Sequence, residues 1–468
     1  MSTPSINIEN VKEFIVGYDR QVPTFGGVLK RYINLDNAAS TPTLQPVLDS
    51  INQFMPWYSS IHRGTGFKSQ LSTFIFEQTR DIILKHCHIE DDEHVVIYGK
   101  NTTEMINKVA RRLQTKEDEV VITTLMEHHS NDLPWRKNQK VVFVDTDEHG
   151  LLELDDLEKK LKQWQGKVKL VAVTGASNVT GLINPIHEIA RLVHSYGALI
   201  LVDGAQLTPH RDIDMRPQGD PEHIDFLIMS AHKFYAPFGQ GALIADKTAF
   251  MEGEPDHVGG GTIELVDKDY IYWAEPPEKE EAGTPNVVGA LAMAKALLVL
   301  DEIGMEAIAR HEMELTTYAL QKLHELSGIT VYGPEDAQDV ENRLGVISLN
   351  VDGLSHAFVA SVLNYEYAIG VRNGCFCAHP YLKKLLHISP EEDKALQQRV
   401  LNHDRSGIPG AIRMSFGMYN SKEDVDAFVD ALRHIEKGEI KAEYTLNKRT
   451  GEYSPKDFTF DFKPYFTL

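Results

Sequence analysis

The stretch LILVDGAQ at residues 199–206 decides the fold, together with the stretch FLIMSAHK at residues 226–233. In each stretch four apolar residues run without interruption into polar ones, so that Asp203 closes the first run and Lys233 follows the second. Short apolar runs that do not alternate with polar residues are typical of strands buried on both faces, as in a parallel sheet covered by helices. Ligands of such sheets bind outside the carboxyl ends of the strands, which is where both polar groups fall.

The same pattern continues on the N-terminal side of these two stretches. Further unbroken apolar runs occur at residues 95–98, 120–123, 141–144 and 170–173. Helical periods such as 186–196 separate the runs, and this alternation predicts right-handed strand–helix–strand units. We therefore expect a large α/β domain at residues 32–286, with a mainly parallel mixed sheet flanked by helices.

The pattern changes near residue 285. Long helical periods at 287–300 and 305–326 precede an apolar run at 346–351 and further helical periods near 356–364 and 423–436. These elements predict a smaller α+β domain at residues 287–468. We expect residues 1–31 to pack with this small domain.

Composition excludes several classes of protein. The 468 residues are 42% hydrophobic and 25% charged, which are ordinary values for a globular chain. The net charge of −21 argues against binding to nucleic acid or to anionic membranes. Three cysteines are too few for a secreted disulfide framework. The N-terminus has no apolar leader, and the most apolar helical stretch is too short to span a bilayer. We expect a cytoplasmic protein.

An acid and a lysine at the ends of two strands match the needs of a pyridoxal phosphate site. The lysine amine forms a Schiff base with the aldehyde, and the carboxylate keeps the pyridine nitrogen protonated. Alternatively, Asp203 caps a helix and Lys233 is a solvated loop residue. Thr102 and Thr103 follow a predicted strand and open a helix, where backbone N–H groups favour a phosphate, although a simple helix cap explains them equally.

Two further motifs remain open on the residues alone. His128 and His129 have three open interpretations: one of them stacks on a cofactor ring, the pair forms half of a metal site, or both are structural. The sequence has no HExxH motif and no cysteine near them that would complete a zinc site. Cys375 and Cys377 stand two residues apart, near Arg372 and His379. Either a reactive thiolate or two small core residues would fit that run. The chain has no GxGxxG after a first strand, so a nicotinamide site is disfavoured.

Together these residues resemble the class V aminotransferase family of pyridoxal phosphate enzymes with fold type I, and within it the cysteine desulfurases and selenocysteine lyases. The resemblance runs from Tyr32 to Ile435 and implies a homodimer. It implies cofactor contacts from the following residues: Thr102, Thr103, His128, Asn178, Asp203, Gln206, Ser230, His232, Lys233 and Thr284. In relatives the equivalent of Thr284 reaches the phosphate of the neighbouring subunit. The resemblance implies substrate contacts from Ala39, His62, Asn178, Arg372 and Arg413, and it implies no metal.

The resemblance also implies the reaction. Cys377 matches the persulfide-forming cysteine, Lys233 the Schiff-base lysine and general base, and His128 the histidine stacked on the ring. We therefore expect a transferase or lyase that removes sulfur from L-cysteine, with a protein as a candidate sulfur acceptor. The alternative is an aminotransferase, epimerase or selenocysteine/β-lyase in which Cys377 is not catalytic. An insert at residues 382–405 and an extension at 442–468 depart from the family pattern.

Overall fold

The computed structural model describes residues 5–113 and 115–468, so the first four residues of the segment 1–31 lie outside the described residues. Its strands are β1 (Gln21–Pro23), β2 (Leu29–Arg31), β3 (Ile33–Asn34), β4 (His94–Gly99), β5 (Val120–Thr124), β6 (Val141–Val144), β7 (Val168–Thr174), β8 (Leu199–Asp203), β9 (Phe226–Ser230), β10 (Gly241–Asp246), β11 (Ile263–Val266), β12 (Ile271–Trp273), β13 (Ile329–Tyr332), β14 (Val346–Val351), β15 (Ile369–Gly370), β16 (Arg372–Gly374), β17 (Ala411–Ser415), β18 (Tyr444–Asn447) and β19 (Glu452–Pro455). Its α-helices are α1 (Gln45–Phe54), α2 (Phe67–His86), α3 (Thr102–Arg112), α4 (Leu133–Asn138), α5 (Leu154–Gln163), α6 (Ile186–Ser195), α7 (Val287–Ile303), α8 (Met305–His324), α9 (His356–Tyr367), α10 (His379–Leu385), α11 (Pro390–Leu401) and α12 (Lys422–Glu436). Among these described helices, none combines the length and the apolar character needed to cross a membrane.

A seven-stranded sheet forms the centre of the protein, with the strand order β4-β10-β9-β8-β7-β5-β6. Strand β10 runs antiparallel to both of its neighbours, while the other neighbouring pairs are parallel. Successive residues of a strand point to opposite faces of a sheet. Since successive residues of the central strands β8 and β9 are buried, both faces of the sheet are covered. Along β8, Ile200 packs into one apolar cluster and Leu201 into another. The predicted mixed, mainly parallel sheet and the strand positions read from the apolar runs are confirmed.

A second, smaller sheet has four antiparallel strands in the order β13-β14-β17-β16. Helices α9 and α12 cover it, and side chains such as Leu349, Val362 and Phe428 share one apolar cluster. Strand β16 carries Arg372 and strand β17 carries Arg413, and both residues line a cavity between this sheet and the large one. The sheet and its helices form the α+β part of the chain.

The apolar core of the large domain extends past residue 287, where the sequence predicts the boundary between the domains. The buried side chains of α7, including Leu297, belong to the core of the large domain, because α7 packs against α1 and α2. Along α8, Ile308 still joins that core, whereas Leu315 joins the core of the small domain. The change from one apolar core to the other therefore lies inside α8, and the domain boundary at residue 287 stays a prediction.

The N-terminal segment divides between the two domains, whereas the sequence predicts that it packs with the small one. Ile6 and Val11 are buried in the core of the large domain. Further along, the N–H of Phe25 donates to the carbonyl of Tyr365 at 2.6 Å, and Arg31 pairs with Asp424 of the small domain. The segment thus contacts both units from one side.

The insert and the C-terminal extension meet on the small domain. The insert contributes the end of α10 and the whole of α11, and none of the α11 side chains is buried. The extension forms the hairpin β18–β19, which packs on α9 through contacts such as Ser361 Oγ donating to the carbonyl of Tyr453 at 2.9 Å. The N–H of Arg405, at the end of the insert, donates to the carbonyl of Lys448 at 2.8 Å.

Candidate active site

A cavity of about 220 Å³ lies at the carboxyl ends of the central parallel strands. Asp203 ends β8 and Ser230 ends β9, while Lys233 follows one turn later. The small domain closes the cavity with Cys377 and Arg413. Of the residues predicted from the sequence, this cavity brings together Ala39, Thr102, Thr103, His128, Asn178, Asp203, Gln206, Ser230, His232, Lys233, Arg372, Cys377 and Arg413.

Two predicted residues lie outside this cavity. His62 and Thr284 line a different cavity of about 1160 Å³, together with Arg63 and Trp273. Within one chain, therefore, neither residue contributes to the site that holds Lys233. His62 and Thr284 nevertheless lie together, because both line this larger cavity.

The acid and the lysine form an electrostatic pair in the cavity. Burial lowers the pKa of Lys233 to about 8, and the Asp203 carboxylate opposes this shift. Burial raises the pKa of Asp203, while Lys233 and the Ala205 N–H, which donates to Oδ1 at 3.0 Å, pull it down. A lysine with a pKa near 8 is partly neutral at physiological pH, and a neutral amine is the form that attacks an aldehyde or accepts a proton.

The ring of His128 is held as a neutral imidazole. Its Nδ1 accepts the Ser130 N–H at 3.1 Å, so the ring proton is on Nε2. Burial, and then the charge of Lys233, lower the pKa of His128 to about 3. Ser130 Oγ is 2.9 Å from the same Nδ1 and 2.7 Å from Thr103 Oγ1, which links the ring to the start of α3.

One end of the cavity offers unpaired hydroxyl groups. Thr102 Oγ1 and Ser230 Oγ are buried and have no hydrogen-bond partner among the described residues. Thr102 is the first residue of α3, whose N-terminus favours anions, and Asn101 caps that helix by accepting the Glu104 N–H at 3.0 Å. Buried hydroxyls need partners, so a phosphate seated here would satisfy both. The residues present therefore fit pyridoxal phosphate.

Arg413 is a buried residue in the wall of the cavity. Its guanidinium donates to the carbonyl of Asn178 at 2.9 Å and to Asp36 Oδ1 at 3.0 Å, and it lies over the ring of Phe376. Its Nε has no partner in the described chain. A guanidinium with a free donor can receive a second carboxylate, such as that of an amino acid.

The cysteine run forms a tight turn that presents Cys377. The Ala378 N–H donates to the carbonyl of Cys375 at 2.9 Å, and Phe376 and Cys377 have φ of 50° and 54°. Two consecutive residues with positive φ define a type I′ turn, which neither phenylalanine nor cysteine favours. Contacts from the large domain fix it: Asn178 Nδ2 donates to the Phe376 carbonyl at 2.7 Å and the His129 N–H to the Cys377 carbonyl at 2.7 Å. Strained backbone of this kind is typical of functional sites.

Two residues near this site, Asp36 and Glu127, were not predicted from the sequence as site residues. Asp36 pairs with Arg413, and it stands two residues after the short strand β3. Glu127 is buried below His128 and accepts hydrogen bonds from Thr124 Oγ1 at 2.7 Å and Asn131 Nδ2 at 2.6 Å. Burial raises the pKa of Glu127 to about 8. No sequence signal identifies that buried contact.

Comparison with known proteins gives a consistent result. The family model Aminotransferase class-V matches residues 33–428. A probable cysteine desulfurase of Pyrococcus abyssi is 36% identical over 414 residues, which cover 86% of this chain and 94% of that protein. A probable cysteine desulfurase of Halalkalibacterium halodurans is 34% identical over 436 residues, covering 91% of this chain and 97% of the other. The solved apo structure of cysteine desulfurase from Thermococcus onnurineus NA1 aligns with a TM-score of 0.79 and 33% identity, covering 94% of this chain and all of that one.

The fold and the cavity define a pyridoxal-phosphate-dependent enzyme of fold type I, with a mixed seven-stranded sheet and a smaller α+β domain. The chain belongs to the class V aminotransferase family. Both the fold class and the family expected from the sequence are confirmed.

Proposed function

We propose that this enzyme is a cysteine desulfurase, which takes sulfur from L-cysteine, forms a persulfide on Cys377 and releases alanine. The observation that carries the proposal is that an exposed cysteine thiol lines the same cavity as Lys233 and Arg413. A substrate whose carboxylate is held by Arg413 would lie between the lysine and the thiol. The names of the relatives point to the same activity.

Each end of the cofactor has partners in the cavity. Bound pyridoxal phosphate supplies an electron sink for the charge that develops at the substrate Cα. We assign the attachment of the aldehyde to Lys233, the partner of the ring nitrogen to Asp203, and ring stacking to His128. The ring hydroxyl and the phosphate would be held by a set of polar side chains: Asn178, Gln206, Thr102, Thr103, Ser230 and His232.

The chain's own groups divide the chemical work. Lys233 Nζ takes the proton from the substrate Cα in its neutral form, which its lowered pKa favours. The Cys377 thiolate bonds to the substrate sulfur while the Cβ–S bond breaks, so that Cys377 ends as a persulfide. The carbon skeleton takes up protons and leaves as alanine. His128 Nε2–H is positioned as a donor inside the cavity because its Nδ1 is engaged by Ser130.

The complete site would be built by a homodimer. His62 and Thr284 line a shared cavity outside the catalytic one, and the neighbouring hairpin β11–β12 exposes apolar residues such as Ile271 and Tyr272. A second copy docked there would bury these side chains and bring His62 and Thr284 of the partner subunit to the substrate and phosphate. The outer sulfur of the Cys377 persulfide must then pass to an acceptor, and we expect this acceptor to be a thiol of a protein.

The decisive experiment compares Cys377→Ser with the parent enzyme. Purified protein is given L-cysteine, and alanine and protein persulfide are measured together. The parent should form one persulfide per subunit in a burst, whereas Cys377→Ser should bind the cofactor normally and form neither product. Cys87→Ala removes a buried thiol that lines neither of the two cavities and is the matched control. Equal turnover by Cys377→Ser would favour an aminotransferase, epimerase or selenocysteine/β-lyase instead.

A further inference from the structure

Another cavity, of about 540 Å³, lies against α11 and shares no lining residue with the catalytic cavity or with the cavity of His62 and Thr284. We name it the second cavity. Its wall is largely aliphatic and is formed mainly by the insert, through Leu382, Leu386, Leu396 and Val400. The thiol of Cys375 lines this cavity. The proposed function does not use the second cavity.

The type I′ turn presents its two cysteines to different spaces. Cys377 lines the catalytic cavity and is exposed there, whereas Cys375 lines the second cavity and is partly buried. Cys375 Sγ donates to the carbonyl of Pro409 at 3.3 Å, and Pro409 belongs to the wall of the second cavity. One four-residue turn therefore carries both thiols two residues apart, and each thiol belongs to the lining of a different cavity.

We propose that Cys375 is a second sulfur carrier, which receives the sulfane sulfur from Cys377 and presents it in the second cavity to an acceptor thiol borne on an apolar group. This proposal rests on the proposed function, because Cys377 must first become a persulfide. The Cys375 thiolate attacks the terminal sulfur of that persulfide, a new S–S bond forms on Cys375, and the Cys377 thiolate leaves. The exchange conserves sulfur atoms and electrons, so it needs no oxidant or reductant.

A relay would separate two tasks that otherwise compete for one space. Cofactor, substrate and the Cys377 thiol would share the catalytic cavity of about 220 Å³, so an acceptor that enters it would compete with the next substrate. Cys375 would let sulfur leave by a second route while the next cysteine binds. The aliphatic wall favours an acceptor thiol with an apolar body, because such a group gains from leaving water.

The electrostatic surroundings of Cys375 set the rate of this exchange. Burial raises the pKa of the Cys375 thiol, and the ammonium group of Lys383 opposes the shift. Loss of Lys383 should therefore lower the thiolate fraction and slow the exchange. Lys383 also pairs with Asp393 of α11, so Lys383→Arg tests charge while keeping this ion pair.

The experiment follows the position of the sulfur in time. Holoenzyme is mixed with ³⁴S-labelled L-cysteine, quenched with an alkylating reagent at intervals from milliseconds to minutes, and digested. Fragmentation of the peptide that spans residues 373–383 distinguishes label on Cys375 from label on Cys377. In the parent the label should appear first on Cys377 and then on Cys375. Cys87→Ala should give the same time course.

Variants then separate the relay from the first step. Cys375→Ser should keep the alanine burst and the persulfide on Cys377, yet pass sulfur to 1-butanethiol at least about tenfold more slowly, equivalent to about 1.4 kcal/mol. Val400→Trp narrows the second cavity at a partly exposed position and should slow delivery to 1-butanethiol more than delivery to 2-mercaptoethanol. Lys383→Gln should slow the appearance of label on Cys375, and Lys383→Arg should restore it.

The outcomes distinguish the two proposals. A normal burst with label confined to Cys377 at every time would overturn the relay and leave the desulfurase function intact. Delivery by Cys375→Ser within twofold of the parent would overturn it as well. Absence of both burst and persulfide in the parent would overturn the proposed function and the relay together. Cofactor absorbance and the thermal unfolding midpoint verify that each variant is folded.

Discussion

At the scale of single residues, the proposed roles of Asp203 and Lys233 lead to an expectation about how the enzyme takes up its cofactor. The neutral form of Lys233 reacts with an aldehyde, and its pKa of about 8 means that this form increases as pH rises through 8. We expect the rate at which pyridoxal phosphate attaches to cofactor-free protein to rise about tenfold per pH unit below pH 8 and to level above it. Stopped-flow absorbance measured from pH 6 to pH 10 tests this. A midpoint above 10 would contradict the expectation.

Asp203→Asn provides the companion test. The carboxylate raises the pKa of Lys233, so its neutral replacement should move the midpoint of cofactor attachment below that of the parent. The amide also cannot make a charge-assisted hydrogen bond to a protonated ring nitrogen, and such a bond contributes about 1.5–3 kcal/mol. Turnover should therefore fall by about 10- to 100-fold. A midpoint that moves upward would show that Asp203 does not act on Lys233 as the structure implies.

Most residues of the cavity could be predicted because they directly follow apolar runs or match family motifs. Asp203 and Ser230 are the last residues of buried strands, so the sheet itself carries them to one edge. Asp36 could not be assigned a role, since its partner Arg413 is far away in the chain and comes near through the parallel bridge between Asp36 and Ser415, the last residue of β17. Contacts between distant segments are set by tertiary packing, which no local pattern encodes.

At the scale of elements, the cysteine turn depends on backbone conformations that resist substitution. Gly374 has φ of 107°, and a Cβ added there would meet no atom within 4 Å. Gly374→Ala should therefore destabilise the protein through backbone strain alone, by about 1–2 kcal/mol. Chemical denaturation measures the free energy of unfolding, and reaction with a thiol reagent measures how Cys377 is presented.

Gly260→Ala is the matched control for that substitution. Gly260 also has open space around its Cβ position, but its backbone does not adopt positive φ. It should change the free energy of unfolding by less than about 0.5 kcal/mol. Equal costs at the two positions would contradict the claim that the turn stores strain. The sequence could not predict this turn, because Phe376 and Cys377 are not residue types that favour positive φ.

The helices α7 and α11 should differ strongly in local stability. Helix α7 has eleven buried residues, nine of which belong to the core of the large domain, whereas α11 has none and is held by a capping box at Ser389 and by the pair Lys383–Asp393. Few buried contacts permit local opening at low free energy. Hydrogen–deuterium exchange should therefore show amides of α11 exchanging at least about 100-fold faster than those of α7, a difference of about 2.7 kcal/mol. Equal protection would indicate that α11 is covered in solution.

At the scale of the whole molecule, packing rather than periodicity decides where one domain ends. The helical period of α7 was readable from the sequence, and its observed bounds extend the predicted ones by three residues. The sequence could not predict that α7 belongs to the core of the large domain, because an apolar helix can pack in either core. Only the packing of α7 against α1 and α2 identifies its domain. The same holds for Ile6 and Val11, whose apolar side chains give no indication of the surface they cover.

The largest expectation at this scale is that two chains build each catalytic site. If Thr284 of the partner subunit holds the phosphate, a Lys233→Ala chain still lends a good Thr284, and a Thr284→Ala chain keeps its own Lys233. Each parent should be inactive or weak, since a lost hydrogen bond to a charged group costs about 1.5–3 kcal/mol. When equal amounts of the two variants exchange subunits, half of the dimers should be hybrids. Each hybrid has one intact site of two, so the mixture should show about one quarter of the parent activity.

Ile271→Asp places a charge on the exposed hairpin β11–β12, and its combination with both variants should abolish the recovery by preventing association. Light scattering establishes the oligomeric state in each mixture. Recovery that is absent despite proven exchange would mean that each site is completed within one chain.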